Sequence, residues 1–453
     1  MSAREERRVI SVATGNGMFM ARRGETRSAP ADNDGGDRVL ALIQAGCQGS
    51  RMDVLTRERA KPALPFGGGH RLIDFALSSL ACSNIADVWV GVQYQAGSLD
   101  PHLAAGRPWD LDRTRGGFRR LVPEQGAGSS TETGFSQGNA DNLLRLSDDI
   151  ETFGPSELIV MSADHVFSLD LRPVLRAHRD TGAECTLVTA EVGRAEAQQN
   201  AVVVTNDRRR VTQFQYKPSS PKSGTVATEI FVYDTAVLLR TLGRLRVELS
   251  RRAVASGEQD GAGQDETDSG LGDFGEHLLP ALVDRGKVYT HDIGGYWRDV
   301  GRPAAYLAAH RDLLAGKIDV FDHPERPVLT MSTGRLPARV DAGAAIANSL
   351  LGAGSRVSGT VEGSVLGTDV VVHRGAVVRN SVLFDGVVVH PGARVETAIL
   401  DEDVQVRAGA VIGADIGRRT ARDADIVLVG QGSRIGRNVT IGEGARLEPG
   451  TTA

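Results

Sequence analysis

The chain has 453 residues, of which 41% are hydrophobic and 24% charged, and this length predicts a soluble globular protein of two domains. A net charge of -5 and a pI of about 6.1 argue against a nucleic-acid or membrane partner. The cysteines, Cys47, Cys82 and Cys185, lie far apart in the sequence, so we expect reduced thiols and a cytoplasmic location.

The first 37 residues are polar, glycine-rich and mixed in charge, and they lack the apolar core of a signal peptide. We therefore expect residues 1–37 to form a disordered tail. The longest apolar runs of the chain fall short of the roughly 20 residues that a membrane-spanning helix needs.

Residues 38–321 alternate between apolar runs typical of buried strands and segments with helical spacing. This alternation predicts a doubly wound α/β domain with a mostly parallel sheet, whose ligands bind at the carboxyl ends of the strands. The stretch 250–272 is acidic and rich in glycine, and we interpret it as a flexible insertion. The predicted elements are strands at 39–45, 87–94, 157–167 and 184–192 and a helix at 70–83.

From residue 322 to 453 a small aliphatic residue recurs at roughly every sixth position, with Gly, Asn and Asp between. That hexapeptide pattern predicts a left-handed parallel β-helix, in which each coil buries its aliphatic side chains along the axis. An irregular valine-rich sandwich is the alternative, and a period sustained over roughly a hundred residues disfavours it.

The loop after the first strand carries Gly46 and Gly49, then Ser50 and Arg51, with Lys61 ten residues further on. Glycines let a backbone approach a triphosphate, and cations can neutralise it. Two glycines and one arginine alone would favour a plain strand-to-helix turn with surface cations, so the segments that follow decide the interpretation.

Those segments resemble the ADP-glucose pyrophosphorylases, the glucose-1-phosphate adenylyltransferases. The likeness begins with "AGCQGSRMDVLTRERAKPALPFGGGHRLIDFALSS" and extends from residue 38 to about residue 440. Further matching motifs follow in the family's order: "VQYQAGSL" (92–99), "FSQGNADNL" (135–143), "MSADHVF" (161–167), "FQYKP" (214–218), "GDFGEHLLP" (272–280) and "YWRDVG" (296–301).

The resemblance implies that a phosphate oxygen of a sugar-like 1-phosphate attacks the α-phosphorus of a nucleoside triphosphate, and that pyrophosphate leaves. Such chemistry needs cations, amide donors and Mg²⁺. It also implies catalytic roles for Arg51, Lys61 and Asp164, with Asp164 and Asp299 as metal ligands. The nucleotide-binding positions that it implies are Gly46, Gly49, Ser50, Gln93, Gly138 and Asp141.

Lys217 matches the lysine that holds the acceptor phosphate in that family, and we expect a homo-oligomer. His165 fits a structural histidine equally well, so we assign it no catalytic role.

This sequence departs from the family motifs near the phosphates only by small changes, at Cys47, Ser50, Gly69 and Ala163. Around the acceptor the changes are larger: Tyr216 stands for a glutamate, Ala227 for a hydroxyl residue and Glu229 for a glycine, and Asn200–Ala201 replaces "FG". Buried polar groups left unpaired discriminate strongly between substrates. We therefore expect an acceptor site formed by Tyr216, Lys217, Ala227 and Glu229 for a phosphate ester other than glucose-1-phosphate.

Three interpretations stay open at this point. Within the family, the departures best match a guanylyltransferase that joins GTP to valienol-1-phosphate, a cyclitol phosphate, in aminocyclitol antibiotic synthesis. A glucose-1-phosphate adenylyltransferase of glycogen synthesis explains the scaffold but leaves Tyr216, Ala227 and Glu229 unexplained. A non-catalytic regulatory subunit is disfavoured because Arg51, Lys61, Asp164, Lys217 and Asp299 are all present.

Overall fold

A computed structural model describes residues 38–46, 49–114, 116–123, 136–256, 269–318, 323–332, 334–417 and 419–453. The predicted tail at 1–37, Cys47 and part of the predicted insertion, residues 257–268, lie outside the described residues. No helix among the described residues is long and apolar enough to cross a membrane.

Among the described residues the first domain has thirteen strands: nine form one large sheet with helices on its faces, and four form two separate two-stranded ladders. Its strands are β1 (Val39–Gln44), β2 (Pro65–Phe66), β3 (His70–Arg71), β4 (Asp87–Gly91), β5 (Phe118–Leu121), β6 (Glu157–Ser162), β7 (His165–Phe167), β8 (Cys185–Glu191), β9 (Ala201–Thr205), β10 (Val211–Tyr216), β11 (Thr225–Asp234), β12 (Val288–Asp292) and β13 (Trp297–Asp299). Its helices are α1 (Ile73–Cys82), α2 (Asp100–Leu103), α3 (Asn139–Arg145), α4 (Ser147–Phe153), α5 (Leu171–Thr181), α6 (Arg194–Ala197), α7 (Thr235–Ser256), α8 (Leu278–Arg285) and α9 (Pro303–Leu314). Short 3-10 helices cover Ser50–Thr56, Lys61–Ala63, Ala96–Ser98 and Ala104–Trp109.

The main path through the large sheet runs β10-β9-β11-β6-β1-β4-β5, and β8 and β12 extend it beside β11. Strands β5, β4, β1 and β6 are mutually parallel, whereas β11 runs antiparallel to β6. Ile43 of β1 pairs with Val90 on one side and Met161 on the other. The carboxyl ends of these strands therefore share one edge of the sheet, as the apolar runs predicted.

Two predicted segments differ in detail. The single strand predicted at 157–167 is two strands, because the chain turns at Ala163–Asp164, and β7 pairs with β13 in a separate two-stranded ladder. The insertion predicted at 250–272 is wrong at both of its ends: α7 continues to Ser256, and Leu271 is fully buried in the core.

The second domain consists of three parallel sheets of six strands each, consistent with a left-handed β-helix. The boundary predicted at 322 falls outside the described residues, and residues 323–332 run along the first domain before the first coil. The strands are β14 (Arg339–Val340), β15 (Ala345–Ala347), β16 (Leu350–Leu351), β17 (Arg356–Val357), β18 (Thr360–Glu362), β19 (Val365–Leu366), β20 (Val371–Val372), β21 (Val377–Arg379), β22 (Val382–Leu383), β23 (Val388–Val389), β24 (Arg394–Glu396), β25 (Ala398–Leu400), β26 (Gln405–Val406), β27 (Val411–Gly413), β28 (Val427–Val429), β29 (Arg434–Ile435), β30 (Thr440–Ile441) and β31 (Arg446–Leu447). Valine, leucine and isoleucine from successive coils fill the axis, as the hexapeptide pattern predicted.

The β-helix docks on the segment that follows the first strand of the sheet. Arg59, 5% exposed, donates to Asp401 at 2.5 Å and to Gln431 at 3.2 Å. Burial raises the pKa of Asp401 to about 6, although the Arg59 guanidinium opposes that shift. Arg71 donates to Glu402 at 3.1 Å. Removing one member of a buried ion pair leaves an uncompensated charge, which is strongly destabilising. The Arg59–Asp401 pair therefore holds the segment after β1 against the β-helix.

Candidate active site

Two carboxylates and a lysine meet where β6 ends. Asp164 follows β6, and the ladder between β7 and β13 sets Asp299 opposite His165. Lys61 lies with its ammonium nitrogen 2.5 Å from Asp164 Oδ2 and 3.8 Å from Asp299 Oδ1, and its side chain is 3% exposed. Three predicted residues from distant parts of the sequence are thus brought together around one buried positive charge.

The ionisation of Asp164 follows from these neighbours. Burial alone would raise its pKa, but the Lys61 ammonium and the His165 ring lower it, together with hydrogen bonds from Lys61 and Ser162. The net shift is strongly downward, so Asp164 is a carboxylate at neutral pH. The sequence interpretation missed Ser162, whose place two residues before the aspartate was its only signal.

The predicted triphosphate loop lies next to this cluster. Gly49 has a positive φ of 70°, a conformation that favours glycine, and a Cβ at Gly46 would lie 2.7 Å from Gln93 Nε2, so a side chain there would displace the Gln93 amide. The residue after Ser50 is Arg51, whose guanidinium lies beside Gly301. A Cβ at Gly301 would lie 2.9 Å from both that guanidinium and Asp299 Oδ1. Arg51 therefore reaches across Gly301 to the cluster, while its exposed side chain leaves room for a ligand.

On the far side of this loop, Gln93 and Ser136 bind each other in both directions: Ser136 N–H donates to Gln93 Oε1 at 2.8 Å, and Gln93 Nε2 donates to Ser136 Oγ. Gly138 has a φ of 111° and packs directly against the Gly272 backbone, where a side chain would collide. These contacts place the predicted base-facing residues around the end of β4, within reach of the loop.

Asp141 was predicted to contact the nucleotide, and its geometry indicates a different role. The side chain is 1% exposed and accepts hydrogen bonds from Gln137 N–H at 2.9 Å, Arg145 Nε at 2.7 Å and Ser269 Oγ at 2.6 Å. With both oxygens engaged inside the protein, Asp141 orders the start of α3 rather than facing a ligand.

The acceptor side is organised by a chain of three polar groups at the end of β10. Lys217 Nζ donates to the Tyr216 hydroxyl at 2.8 Å, and that hydroxyl donates to Asp273 Oδ2 at 3.0 Å. The Tyr216 ring lies against Gly275, where any Cβ would collide with it. Burial and then Asp273 raise the pKa of Tyr216, so the hydroxyl stays protonated. Asp273 was not predicted as a site residue, although it lies in one of the matched motifs.

Strand β11 carries the other two residues predicted for the acceptor site, and the geometry of one of them does not fit that prediction. Ala227 is 3% exposed and packs in the hydrophobic core under the sheet, so its side chain is not available to a ligand. The pairing of β11 with β8 is irregular between Ala227 and Phe231, and Glu229 within that stretch has a φ of 57°. Its carboxylate is one of three ligand groups that lie within 4.8 Å of one another, with Asp164 and His165.

Glu229 has an unusual environment for an acid. Among the described residues, no hydrogen bond or ion pair engages its carboxylate. The residue is exposed to solvent. Crowding by protein atoms raises the pKa of its carboxyl, the His165 ring opposes this shift, and Asp164 and Asp299 reinforce it. Glu229 therefore adds a further carboxylate beside Asp164 in this part of the site.

Comparison with known proteins agrees with this geometry. Residues 40–316 match the family model described as nucleotidyl transferase, and residues 337–429 match the model described as GlmU-like, C-terminal hexapeptide. The chain is 32% identical over 343 residues to a glucose-1-phosphate adenylyltransferase of Clostridium novyi, covering 75% of this chain and 84% of that protein. It is also 32% identical to proteins of the same name from Thermosipho africanus and Fervidobacterium nodosum, covering 75% of this chain in each case and 78% and 77% of those proteins.

Proposed function

This chain belongs to the glucose-1-phosphate adenylyltransferase family of nucleotidyl transferases, and from that premise we propose that it joins a nucleoside triphosphate to a sugar-like 1-phosphate other than glucose-1-phosphate. Release of pyrophosphate is the shared chemistry of the family. The observation that supports the altered acceptor is the Lys217–Tyr216–Asp273 chain, together with the unpaired Glu229 carboxylate.

In the proposed reaction, the protein brings two anions together and neutralises the charge that builds up on the α-phosphate. Arg51 is exposed at the edge of the cluster and can form a two-pronged bond to the triphosphate. Lys61 supplies a positive charge that is already fixed and largely desolvated, so no reorganisation is needed when the phosphate arrives. Gly46 and Gly49 let the loop backbone lie close to the phosphates.

Asp164 and Asp299 fit the magnesium ion that this family generally uses. Both are carboxylates that share Lys61, and Asp299 makes no hydrogen bond within the described residues, which leaves its oxygens available. Mg²⁺ commonly binds one or two carboxylates and completes its coordination with water and substrate phosphates. When bound, it would neutralise charge on the triphosphate, while Asp164 and Asp299 fix its position.

The acceptor phosphate is assigned to Lys217, whose ammonium is oriented by the Tyr216 hydroxyl. The Tyr216 ring is half-buried against Gly275, and the Lys217 ammonium lies 4.5 Å from the ring centroid. We propose that the apolar ring surface left to solvent suits a carbocyclic ring better than it suits a hydroxyl-rich pyranose. Glu229 adds a carboxylate where the family motif has a glycine, so hydroxyl contacts on that side would be rearranged.

The acceptor that we place first is valienol-1-phosphate, with GTP as the donor, in the synthesis of an aminocyclitol antibiotic. The acceptor half of this proposal is supported by Tyr216 and Glu229. The guanine half is supported by resemblance alone, since Gln93 and Gly138 are compatible with either purine.

Glucose-1-phosphate with ATP is the second candidate, and it is favoured by the names of the relatives. A non-catalytic regulatory subunit is a weaker alternative, because the paired Lys61, Asp164 and Asp299 are retained in contact. We also expect a homo-oligomer, which light scattering on the purified chain would test.

The deciding experiment measures kcat/KM by pyrophosphate release for valienol-1-phosphate and glucose-1-phosphate, each with ATP and with GTP. The proposal expects the cyclitol phosphate with GTP to be the best pair. A lost hydrogen bond that leaves a buried group unpaired costs about 1–3 kcal/mol, so two or three of them would disfavour glucose-1-phosphate on the order of a thousandfold. If glucose-1-phosphate with ATP is best, the second candidate replaces the first, and if no pair reacts, the regulatory subunit does.

A further inference from the structure

The two aspartates at the nucleotide end are held in place in different ways. Asp164 accepts hydrogen bonds from Lys61 at 2.5 Å and from Ser162. Asp299 accepts no hydrogen bond within the described residues, and its Oδ1 lies 3.8 Å from the Lys61 ammonium. Direct contacts therefore fix the side chain of Asp164, whereas the position of Asp299 depends on the backbone of β13.

Strand β13 is a short element that lies outside the large sheet. In the part of the chain that the structure describes, its three residues pair only with β7, in a register that sets Trp297 opposite Phe167 and Asp299 opposite His165. An isolated two-stranded ladder is marginally stable at best. Contacts other than backbone pairing must therefore hold β13 in place.

A closed network of side chains fastens this segment to helix α9. Arg298 Nε donates to the Tyr296 hydroxyl at 2.9 Å, and that hydroxyl donates to Asp312 Oδ2 at 2.9 Å. Arg298 Nη2 donates to the same carboxylate oxygen at 2.9 Å, and Lys317 donates to the other one at 2.7 Å. Burial would raise the pKa of the Asp312 carboxyl, but these partners lower it, so the network is charged at neutral pH.

The alternation of side chains along the strand places this network behind the active-site residues. Tyr296 and Arg298 face α9, whereas Trp297 and Asp299 face the opposite way. Trp297 packs edge-on against the His165 ring, with 5.4 Å between the ring centroids. Arg298 precedes Asp299 in the chain, so the peptide that joins them carries the position of the guanidinium to the carboxylate.

The chemistry of arginine suits this arrangement. A planar guanidinium presents its N–H donors in a fixed fork, so one side chain holds the Tyr296 hydroxyl and the Asp312 carboxylate at once. A lysine has one charged nitrogen on a flexible stem and does not fix two partners in the same geometry. Residues that orient a metal ligand from behind change metal affinity or activity by about 10- to 100-fold when they are replaced.

We propose that Arg298 is a positioning residue for Asp299, which it sets through β13 without touching either substrate. Arg298, Tyr296 and Asp312 form the clamp that joins β13 to α9. The proposal rests on the role proposed above for Asp299, and it adds a residue on which the chemistry depends although no reacting atom contacts it.

Amide hydrogen exchange of the full-length protein tests the clamp without any substrate. Arg298→Ala should exchange about tenfold faster in the peptide that covers β13, because loss of the clamp favours local opening, with no change in the peptide that covers β6. Arg379→Ala, which breaks an arginine–glutamate pair on the β-helix, is the matched control and should leave both peptides unchanged. An unchanged exchange rate of β13 in Arg298→Ala would contradict the clamp.

Pyrophosphate release then shows whether the clamp acts through Asp299. Arg298→Ala should lower kcat about 10- to 100-fold at saturating Mg²⁺ and leave the KM of each substrate within about twofold. In a chain that already carries Asp299→Asn, the same change should lower kcat by less than about twofold, because residues that act as one unit are not additive. Losses that multiply in the double variant would mean that Arg298 only stabilises the fold, and they would overturn the proposal.

A conservative variant and the single Asp299→Asn variant complete the test. Arg298→Lys keeps the charge but loses the fork, so its kcat should fall between those of Arg298→Ala and the unmodified protein. It also takes the place of Arg298→Ala if circular dichroism shows that the alanine variant does not fold. Near-normal turnover in Asp299→Asn would remove Asp299, and with it Arg298, from the chemistry. That result is a failure of the proposed function, and the exchange experiment reports on the clamp separately.

Discussion

The nucleotide end and the acceptor end that we propose for the active site are built on different parts of the sheet. The nucleotide end rests on β1 and β6 at the centre of the sheet, and the segment after β1 is held between the sheet and the β-helix by Arg59 and Asp401. The acceptor end rests on β10, at the edge of the sheet, and on the irregular stretch of β11. The first end keeps the family residues, whereas the second carries Tyr216 and Glu229.

This difference indicates where such an enzyme can change its substrate. A residue on a central strand packs on both faces, so a substitution there disturbs the core. An edge strand and a bulge have free space on one side, and a bulge redirects a side chain without breaking the sheet. Specificity can therefore be rebuilt at the acceptor end while the cations and carboxylates at the nucleotide end stay in place.

The largest effect should come from removing a carboxylate at the nucleotide end. Asp164→Asn or Asp299→Asn should lower kcat by about a hundred- to a thousandfold, the loss seen when one preorganised charge-stabilising group is deleted. Steady-state pyrophosphate release with Mg²⁺ measures this, with Asp207→Asn in an exposed turn as the control. Near-normal kcat in both variants would show that this end does not carry the chemistry.

Next in size is the loss of the interdomain ion pair. Arg59→Ala leaves the Asp401 carboxylate buried beside Glu402 without its main partner, and we expect a loss of about 3 kcal/mol in the free energy of unfolding at pH 8. Arg57→Ala, at an exposed pair with Glu448, should cost less than about 1 kcal/mol and serves as the control. Denaturant unfolding measures both.

The same variant predicts a pH dependence. The pKa of Asp401 is about 6 in the folded protein and would rise further without Arg59, whereas an aspartate in an unfolded chain has a pKa of about 3.9. A raised pKa in the folded state gives stability that is lost as pH rises through that pKa. The deficit of Arg59→Ala should therefore be smaller at pH 5 than at pH 8, and a larger deficit at pH 5 would contradict this account.

A smaller effect, confined to the acceptor end, is expected for Lys217→Ala. Losing one charge-assisted hydrogen bond to the acceptor phosphate should raise the acceptor KM about 10- to 100-fold and leave the KM for the triphosphate within about twofold. Lys222→Ala, nearby and exposed, is the control. A rise in the triphosphate KM alone would remove Lys217 from the acceptor site.

The smallest predicted effect separates the Tyr216 hydroxyl from its ring. Tyr216→Phe keeps the flat face but breaks the link between Lys217 and Asp273, so kcat/KM for the acceptor should fall about fivefold, which corresponds to about 1 kcal/mol. Tyr289→Phe on β12 is the matched control. A loss as large as that of Lys217→Ala would mean that the hydroxyl contacts the substrate directly.

The residues assigned to the nucleotide end stand at the ends of apolar runs, so their placement at one edge of the sheet was predictable from sequence. Asp164 and the glycines of the loop follow strands whose register requires their ends to meet. The β-helix was equally readable, since each coil repeats one burial pattern.

The acceptor end was harder to predict because its geometry depends on contacts across the sequence. Ala227 was assigned to the site from motif position, but it lies in the regularly paired part of β11 and faces the core, whereas Glu229 lies within the irregular stretch that follows. Asp273 and Asp141 are both aspartates within matched motifs, so the sequence does not distinguish their roles. Only the fold shows that Asp273 accepts the hydrogen bond of the Tyr216 hydroxyl and that Asp141 orders the start of α3. Periodicity does not carry this information, since β11 inserts two extra residues against β8 between Ala227 and Phe231, and the alternation of buried residues is the same on both sides of that stretch.

The ladder between β7 and β13 also sets the order in which the active site can assemble. It joins His165 to Asp299, so the cluster closes only when a segment more than a hundred residues later in the chain has been synthesised and has paired. Contacts of such high sequence separation form late, because the loop between them must first be closed at an entropic cost. We therefore expect refolding chains to recover helical circular dichroism before they recover turnover, and simultaneous recovery of the two signals would contradict this order.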